Sequence, residues 1–159
     1  MSHFTNHSNI SNSYEEILGE CRGLLTGRAI TDFANVSALL MQRVPDLNWV
    51  GFYLTDPNSK SELWLGPFQG LPACTFIPIG KGVCGTAARE RRTIVVDDVD
   101  RFPGHIVCDA RSRSEIVVPL IKNNILIGVL DVDSARLKRF SEKEKVFFED
   151  VCRLLVSKI

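Results

Sequence analysis

Three cysteines in the middle of the chain lie where a thiol could take part in redox chemistry. Cys74 precedes a short predicted strand, Cys84 opens a predicted helix, and Cys108 lies in a long irregular segment. A helix N-terminus favours the thiolate form, which makes Cys84 a reactive candidate. Cys108 has a histidine and two arginines within five residues, and these cations would stabilise its thiolate if they are close in space, with Asp109 opposing them.

The other two cysteines have a structural interpretation. Cys21 and Cys152 lie on predicted amphipathic helices, where a cysteine packs as a small hydrophobic residue. An odd total of five cysteines, without the apolar leader of an export signal, is typical of free thiols in a reducing compartment. A disulfide in such a protein is expected to be transient and catalytic.

A zinc site is an alternative use of the reactive thiols. Cys74, Cys84, Cys108 and His105 could together supply four zinc ligands. However, nine residues separate the first two cysteines, and the chain contains no C-x-x-C knuckle. The sequence therefore favours redox chemistry without a metal or an organic cofactor.

Carboxylates form a second group of candidate residues. Strand periodicity places Asp131 and Asp133 on one face, and a hairpin about Asn123–Asn124 would bring Glu115 beside them. Converging carboxylates raise one another's pKa, and they suit a site that binds a ligand ammonium or delivers a proton. A solvated strand end is the alternative for the two aspartates taken alone.

Aromatic residues form the third group. Trp49 and Tyr53 share one face of a predicted strand, and Gly51 between them leaves room beside the rings. Core packing is the usual reason for such a pair. Next to thiols and carboxylates, the two rings could instead enclose the apolar end of a small ligand.

Composition limits the remaining possibilities. The 159 residues suit one domain, and 45% of them are hydrophobic. Because 19 basic residues balance 19 acidic ones, a nucleic-acid partner is not expected. The apolar run 125–130 is too short to cross a bilayer, so we expect a cytoplasmic protein without membrane contact.

The elements that must position these side chains follow from hydrophobic periodicity. Helices are predicted at Tyr14–Leu25, from a cap at Thr31–Asp32 to Pro45, from 82 to about Arg91, and after a capping box at Ser141–Glu144. Strands are predicted at Leu47–Leu54, Glu62–Phe68, Phe76–Ile79, Thr93–Val96, Glu115–Ile121 and Ile125–Val132. This order predicts an α+β fold, with a flexible tail at 1–12 and a single domain at 13–159. The irregular stretch 97–114 is long enough to suggest function.

Six motifs resemble those of the free methionine-(R)-sulfoxide reductases, a GAF-domain family. They are NWVGFY at 48–53, LGPFQG at 65–70, GKGVCGTA at 80–87, GHIVCD at 104–109, SEIV at 114–117 and GVLDVDS at 128–134. The resemblance covers most of the chain, from about residue 31 to 155, with the motifs in family order. It implies a GAF fold, with a central antiparallel sheet flanked by helices, and a homodimer.

The resemblance also implies roles for the candidate residues. Cys108 would be the nucleophile, and Cys84 or Cys74 the resolving thiol. Glu115, Asp131 and Asp133 would line the substrate site, and Trp49 and Tyr53 would enclose the substrate methyl group. Of the two resolving candidates, the helix N-terminus favours Cys84.

The reaction implied is reduction of free methionine-(R)-sulfoxide through a cysteine sulfenic acid and an intramolecular disulfide, with thioredoxin as the reductant. Two other interpretations stay open at this point. One is a GAF module that binds a small ligand without catalysis, and the other is a redox or zinc sensor.

Overall fold

A computed structural model describes residues 14–159, so the predicted tail lies outside the described residues. Four helices are present: α1 (Tyr14–Leu24), α2 (Ala29–Arg43), α3 (Gly82–Glu90) and α4 (Glu142–Val156). Six strands accompany them: β1 (Trp49–Asp56), β2 (Ser59–Gln69), β3 (Phe76–Pro78), β4 (Ile94–Val96), β5 (Ser114–Lys122) and β6 (Ile125–Ser134). A short 3-10 turn, Val99–Arg101, interrupts the long irregular segment. No helix within 14–159 has both the length and the apolar composition needed to cross a membrane.

The six strands form one antiparallel sheet in the order β3-β2-β1-β6-β5-β4, which confirms the predicted α+β class. The predicted hairpin between β5 and β6 is present. Asn123 and Asn124 take positive φ angles of 50° and 63°, which a two-residue hairpin turn requires and asparagine tolerates well. This turn sets Glu115 opposite Asp133 and Val117 opposite Asp131.

Two apolar cores lie on opposite faces of the sheet because successive strand residues point to opposite sides. On one face, Phe52 and Leu130 belong to a core that α1, α2 and α4 complete. On the other face, Tyr53 and Val129 pack with residues of α3. Cys21 and Cys152 are buried members of the first core, which confirms their interpretation as packing residues.

The predicted starts of α2 and α4 have different outcomes in the structure. The predicted cap of α2 at 31–32 is wrong, since the helix begins two residues earlier at Ala29. Asp32 lies in the first turn, and its buried carboxylate accepts hydrogen bonds from the backbone N–H groups of Thr26 and Gly27, at 2.8 and 2.9 Å. The predicted capping box of α4, which begins after Ser141, is confirmed.

Candidate active site

A small cavity of about 20 Å³ lies on the α3 side of the sheet, where the long irregular segment folds back onto the strands. This volume admits a species the size of one water molecule. The cavity lining brings together residues from α3, from the irregular segment and from one end of β5 and β6. Among them are Cys84, His105, Cys108, Glu115, Asp131 and Asp133.

A disulfide joins Cys74 to Cys108, with 5.4 Å between the two Cα atoms and 34 residues of sequence separation. Cys84 stays a free, buried thiol. The structure therefore pairs Cys108 with the alternative partner and not with Cys84, which the sequence favoured. The physical reason is positional: Cys84 belongs to the core under α3, whereas Cys74 lies on the connection between β2 and β3. The catalytic roles of the three thiols stay predictions.

The environment of Cys84 also reverses its expected ionisation. Burial raises the pKa of this thiol well above its usual value, and the charges of Asp131, Glu115 and Asp133 raise it further. These effects exceed the stabilisation that the N-terminus of α3 offers a thiolate. Cys84 is consequently protonated near neutral pH.

Two of the cations near Cys108 in sequence, Arg111 and His105, lie against carboxylates. The Arg111 guanidinium donates to the Asp109 carboxylate through Nη2 at 2.8 Å and Nε at 3.1 Å. His105 Nε2 lies 3.4 Å from Glu115 Oε2, and burial lowers the pKa of His105. In this disulfide form both side chains therefore pair with carboxylates, and their support of a Cys108 thiolate stays a prediction.

Asp109 fastens the segment that carries Cys108 to the sheet. Besides Arg111, it accepts a hydrogen bond from Asn48 Nδ2 at 3.0 Å, and the same Asn48 nitrogen lies 3.0 Å from Ser112 Oγ. The bonds from Arg111, with the others, lower the pKa of Asp109 to about 2. Sequence reasoning missed Asn48 and Ser112 as positioning residues. The available signal was the position of Asn48, which comes immediately before β1 and its Trp49-Val50-Gly51-Phe52-Tyr53 segment.

Three buried carboxylates meet at this end of the sheet, as the strand register predicted. Glu115, Asp131 and Asp133 are 6, 7 and 8% exposed. Burial is the main cause that raises the pKa of each one well above its usual value, and the charges of the neighbouring carboxylates add to it. The raised pKa values favour the protonated form of these carboxyl groups, which is the form that can donate a proton. Asp131 Oδ1 is buried without a hydrogen-bond partner.

The aromatic pair lies beside the cavity but holds a different part of the site. Trp49 Nε1 donates to the Leu71 carbonyl at 3.1 Å, and Tyr53 Oη donates to the Cys74 carbonyl at 2.9 Å. Both rings are buried, and the space expected above Gly51 is filled, since a Cβ there would lie 2.8 Å from Trp49 Cη2. In this disulfide form the pair anchors the segment that carries Cys74, and its contact with a substrate methyl group stays a prediction.

The zinc ligands considered from the sequence are not assembled, because Cys74 and Cys108 are bonded to each other. Within residues 14–159, a different group could hold a metal ion. Cys84 Sγ and one carboxylate oxygen each of Glu115 and Asp131 all lie within 4.8 Å of one another.

Comparison with known proteins gives the class first. Residues 28–159 match the model of the GAF domain, so the sheet and helices described above form a GAF fold. A GAF domain-containing protein A from Dictyostelium discoideum is 49% identical over 144 residues, covering 89% of each chain. A free methionine-R-sulfoxide reductase from Escherichia coli is 46% identical over 83% of this chain and 79% of its own.

A solved structure agrees with these sequence matches. The free methionine-R-sulfoxide reductase of Neisseria meningitidis, determined in complex with its substrate, has a TM-score of 0.89. It is 41% identical, and the match covers 99% of this chain and 94% of that one. The chain therefore belongs to the GAF domain family and, within it, to the group of the free methionine-R-sulfoxide reductases.

Proposed function

We propose that this protein reduces free methionine-R-sulfoxide to methionine, with Cys108 as the nucleophile and Cys74 as the resolving thiol. The observation that carries the proposal is the Cys74–Cys108 disulfide at a cavity whose lining includes Cys108 and three buried carboxylates. A disulfide between two cysteines of which one lines a cavity beside buried carboxylates is the expected product of oxidative turnover. The activity named for the bacterial relatives supports the same reaction.

The first step needs a thiolate and a proton donor at the same place. A protonated carboxyl group of Glu115, Asp131 or Asp133 hydrogen-bonds to the sulfoxide oxygen and transfers its proton, which makes the sulfur electrophilic. The Cys108 thiolate then attacks that sulfur and forms a sulfur–sulfur bond. This bond and the substrate S–O bond break as the hydroxyl oxygen passes to Cys108, which leaves free methionine and a Cys108 sulfenic acid; the substrate sulfur gains two electrons and Cys108 loses two.

The second step closes the disulfide. The thiol of Cys74 attacks the sulfenic sulfur of Cys108, the S–S bond forms, and the oxygen leaves as water with the thiol proton. An external dithiol returns two electrons by thiol–disulfide exchange, and we propose a thioredoxin-type protein for this role. Three free cysteines beside one disulfide support a reducing, cytoplasmic setting for this cycle, and the homodimer expected from the family completes the proposal.

Preference for the free amino acid follows from the charge of the site. A carboxylate of the buried cluster pairs with the substrate ammonium, and Asp131 Oδ1 is a buried acceptor that such a group would satisfy. A methionine sulfoxide within a peptide has an amide in place of that ammonium. It would leave the carboxylate without a cationic partner, which is costly in a buried site.

Turnover of the separate R and S epimers of free methionine sulfoxide, coupled to thioredoxin, tests the function. We expect methionine from the R epimer alone. Cys108→Ser should produce none, because an alcohol cannot replace the thiolate. Cys21→Ser is the matched control, since it changes a buried thiol on α1, away from the cavity. Binding of the R epimer without turnover in the reduced wild-type protein would instead support a ligand-binding sensor.

A further inference from the structure

Three potential metal ligands meet in the cavity without forming part of the disulfide. The Cys84 sulfur and one oxygen each of Glu115 and Asp131 lie within 4.8 Å of one another, and all three residues line the cavity. Tetrahedral coordination at distances of about 2.0–2.3 Å brings ligand atoms to about 3.3–3.8 Å from each other. Shifts of about 1 Å in side-chain position would therefore complete a three-ligand site.

A second observation is that one carboxylate oxygen in this group lacks a hydrogen-bond partner. Asp131 is only 7% exposed, yet its Oδ1 atom accepts no hydrogen bond. Buried oxygen atoms are rarely left unsatisfied, because each costs the desolvation of a polar group without a compensating bond. The unpartnered oxygen belongs to a cavity-lining residue, so a cation bound there would satisfy it.

The ligand set selects the kind of cation. One cysteine sulfur and two carboxylate oxygens match the mixed sulfur and oxygen coordination of zinc, with a fourth position for water. Calcium requires six to eight oxygen ligands, and magnesium keeps several of its waters. The Cys84 sulfur is a poor ligand for either of these ions, which prefer oxygen.

We infer that Cys84, Glu115 and Asp131 form a binding site for a divalent cation of the zinc class, and that the bound cation inhibits the protein. Inhibition rests on the proposed reductase function, because the cation would occupy the carboxylates that meet the substrate ammonium. His105, whose Nε2 lies 3.4 Å from Glu115 Oε2 and which also lines the cavity, is placed to orient that ligand. This site differs from the four-ligand zinc site considered in the sequence analysis, which included Cys74 and Cys108, and the two share only Cys84.

Calorimetric titration of zinc ion into the oxidised protein, without substrate, tests the site directly. The disulfide removes Cys74 and Cys108 as ligands, so Cys84 is the cavity thiol that can bind. We expect one equivalent of zinc per chain and no binding of magnesium. Cys84→Ala should weaken zinc binding at least tenfold, whereas Cys21→Ala, which removes a free thiol far from the cavity, should leave it unchanged.

Glu115→Gln provides a second variant, which keeps the side-chain volume, in case Cys84→Ala does not fold. It too should weaken zinc binding at least tenfold. Equal zinc affinity in the wild type and in either folded variant would overturn the site. In a separate assay of the reduced protein, zinc should raise the KM for methionine-R-sulfoxide without lowering kcat. Because the titration contains no substrate, its failure would leave the reductase proposal intact. Zinc binding without an effect on KM would refute only the inhibition.

Discussion

Reduction of the Cys74–Cys108 disulfide should lower the free energy of unfolding by about 3.8 kcal/mol at 25 °C. The disulfide closes a loop with a sequence separation of 34 residues, which restricts the unfolded chain far more than the folded one. The loop-entropy relation, about −2.1 − 1.5R ln n cal/mol/K with n of 34, gives this value. For a domain of this size the melting temperature should fall by roughly 8–15 °C.

Urea unfolding followed by tryptophan fluorescence measures the effect, because Trp49 is buried and becomes exposed on unfolding. The wild-type protein and Cys84→Ser should each show the full difference between oxidised and reduced samples. Cys74→Ser should show none, since it cannot form the bond. The comparison of the two variants separates the disulfide from any general effect of removing a cavity thiol.

Two results would refute this reasoning. If Cys84→Ser loses the difference between oxidised and reduced samples while Cys74→Ser keeps it, the pairing described here is not the one formed in solution. If the wild-type difference is below about 1 kcal/mol, the loop closure does not restrict the unfolded chain as the entropy relation requires.

Four further predictions concern the site. Cys74→Ser should release one equivalent of methionine and then stall, whereas Cys84→Ser should still form the Cys74–Cys108 disulfide. Quenched flow with mass spectrometry distinguishes the two variants, and the reverse pattern would contradict the assignment of Cys74 as the resolving thiol. Tyr53→Phe removes the hydrogen bond from Tyr53 Oη to the Cys74 carbonyl, which is worth about 0.5–1.5 kcal/mol. Disulfide formation should therefore slow about two- to tenfold, while single-turnover methionine release is unchanged. The raised pKa of Asp131 contributes stability that is complete below about pH 4 and is lost as pH rises through the folded-state value. In urea unfolding from pH 4 to 8, the free energy of unfolding should therefore fall more steeply for the wild type than for Asp131→Asn. Parallel dependence on pH in the two proteins would exclude Asp131 as the cause. N-acetylation of the substrate removes a charged hydrogen bond of roughly 1.5–3 kcal/mol and should cut kcat/KM at least about tenfold, and equal rates would overturn the ammonium argument.

The sequence predicted those features that depend on local periodicity. Alternation along β5 and β6, with a turn at Asn123–Asn124, was enough to place Glu115 beside Asp133 and to anticipate the raised pKa values. Strand register has a period of two, so a hairpin with a recognisable turn allows little choice in which side chains meet. The core positions of the helices, including Cys21, follow from helical periodicity in the same way.

Features that depend on where loops lie were decided only by the tertiary structure. Cys74 and Cys108 are 34 residues apart, and no local pattern shows that the segments carrying them touch. Arg111 was close enough to Cys108 in sequence to suggest a contact, but Asp109 offers it a bidentate carboxylate instead. The sequence placed Cys108 and Asp109 equally within reach of Arg111, and only the folded geometry shows which of them the guanidinium contacts.

The aromatic pair and Cys84 show the same division. The sequence identified Trp49 and Tyr53 as facing one side of a strand, but their hydrogen bonds to a distant loop required the folded chain. The helix start at Cys84 was recognisable, whereas the burial that raises the pKa of its thiol was not. Periodicity along one element determines which face a side chain occupies. Burial and partners depend on what other elements cover that face, and in this protein they decided which thiol is joined to Cys108.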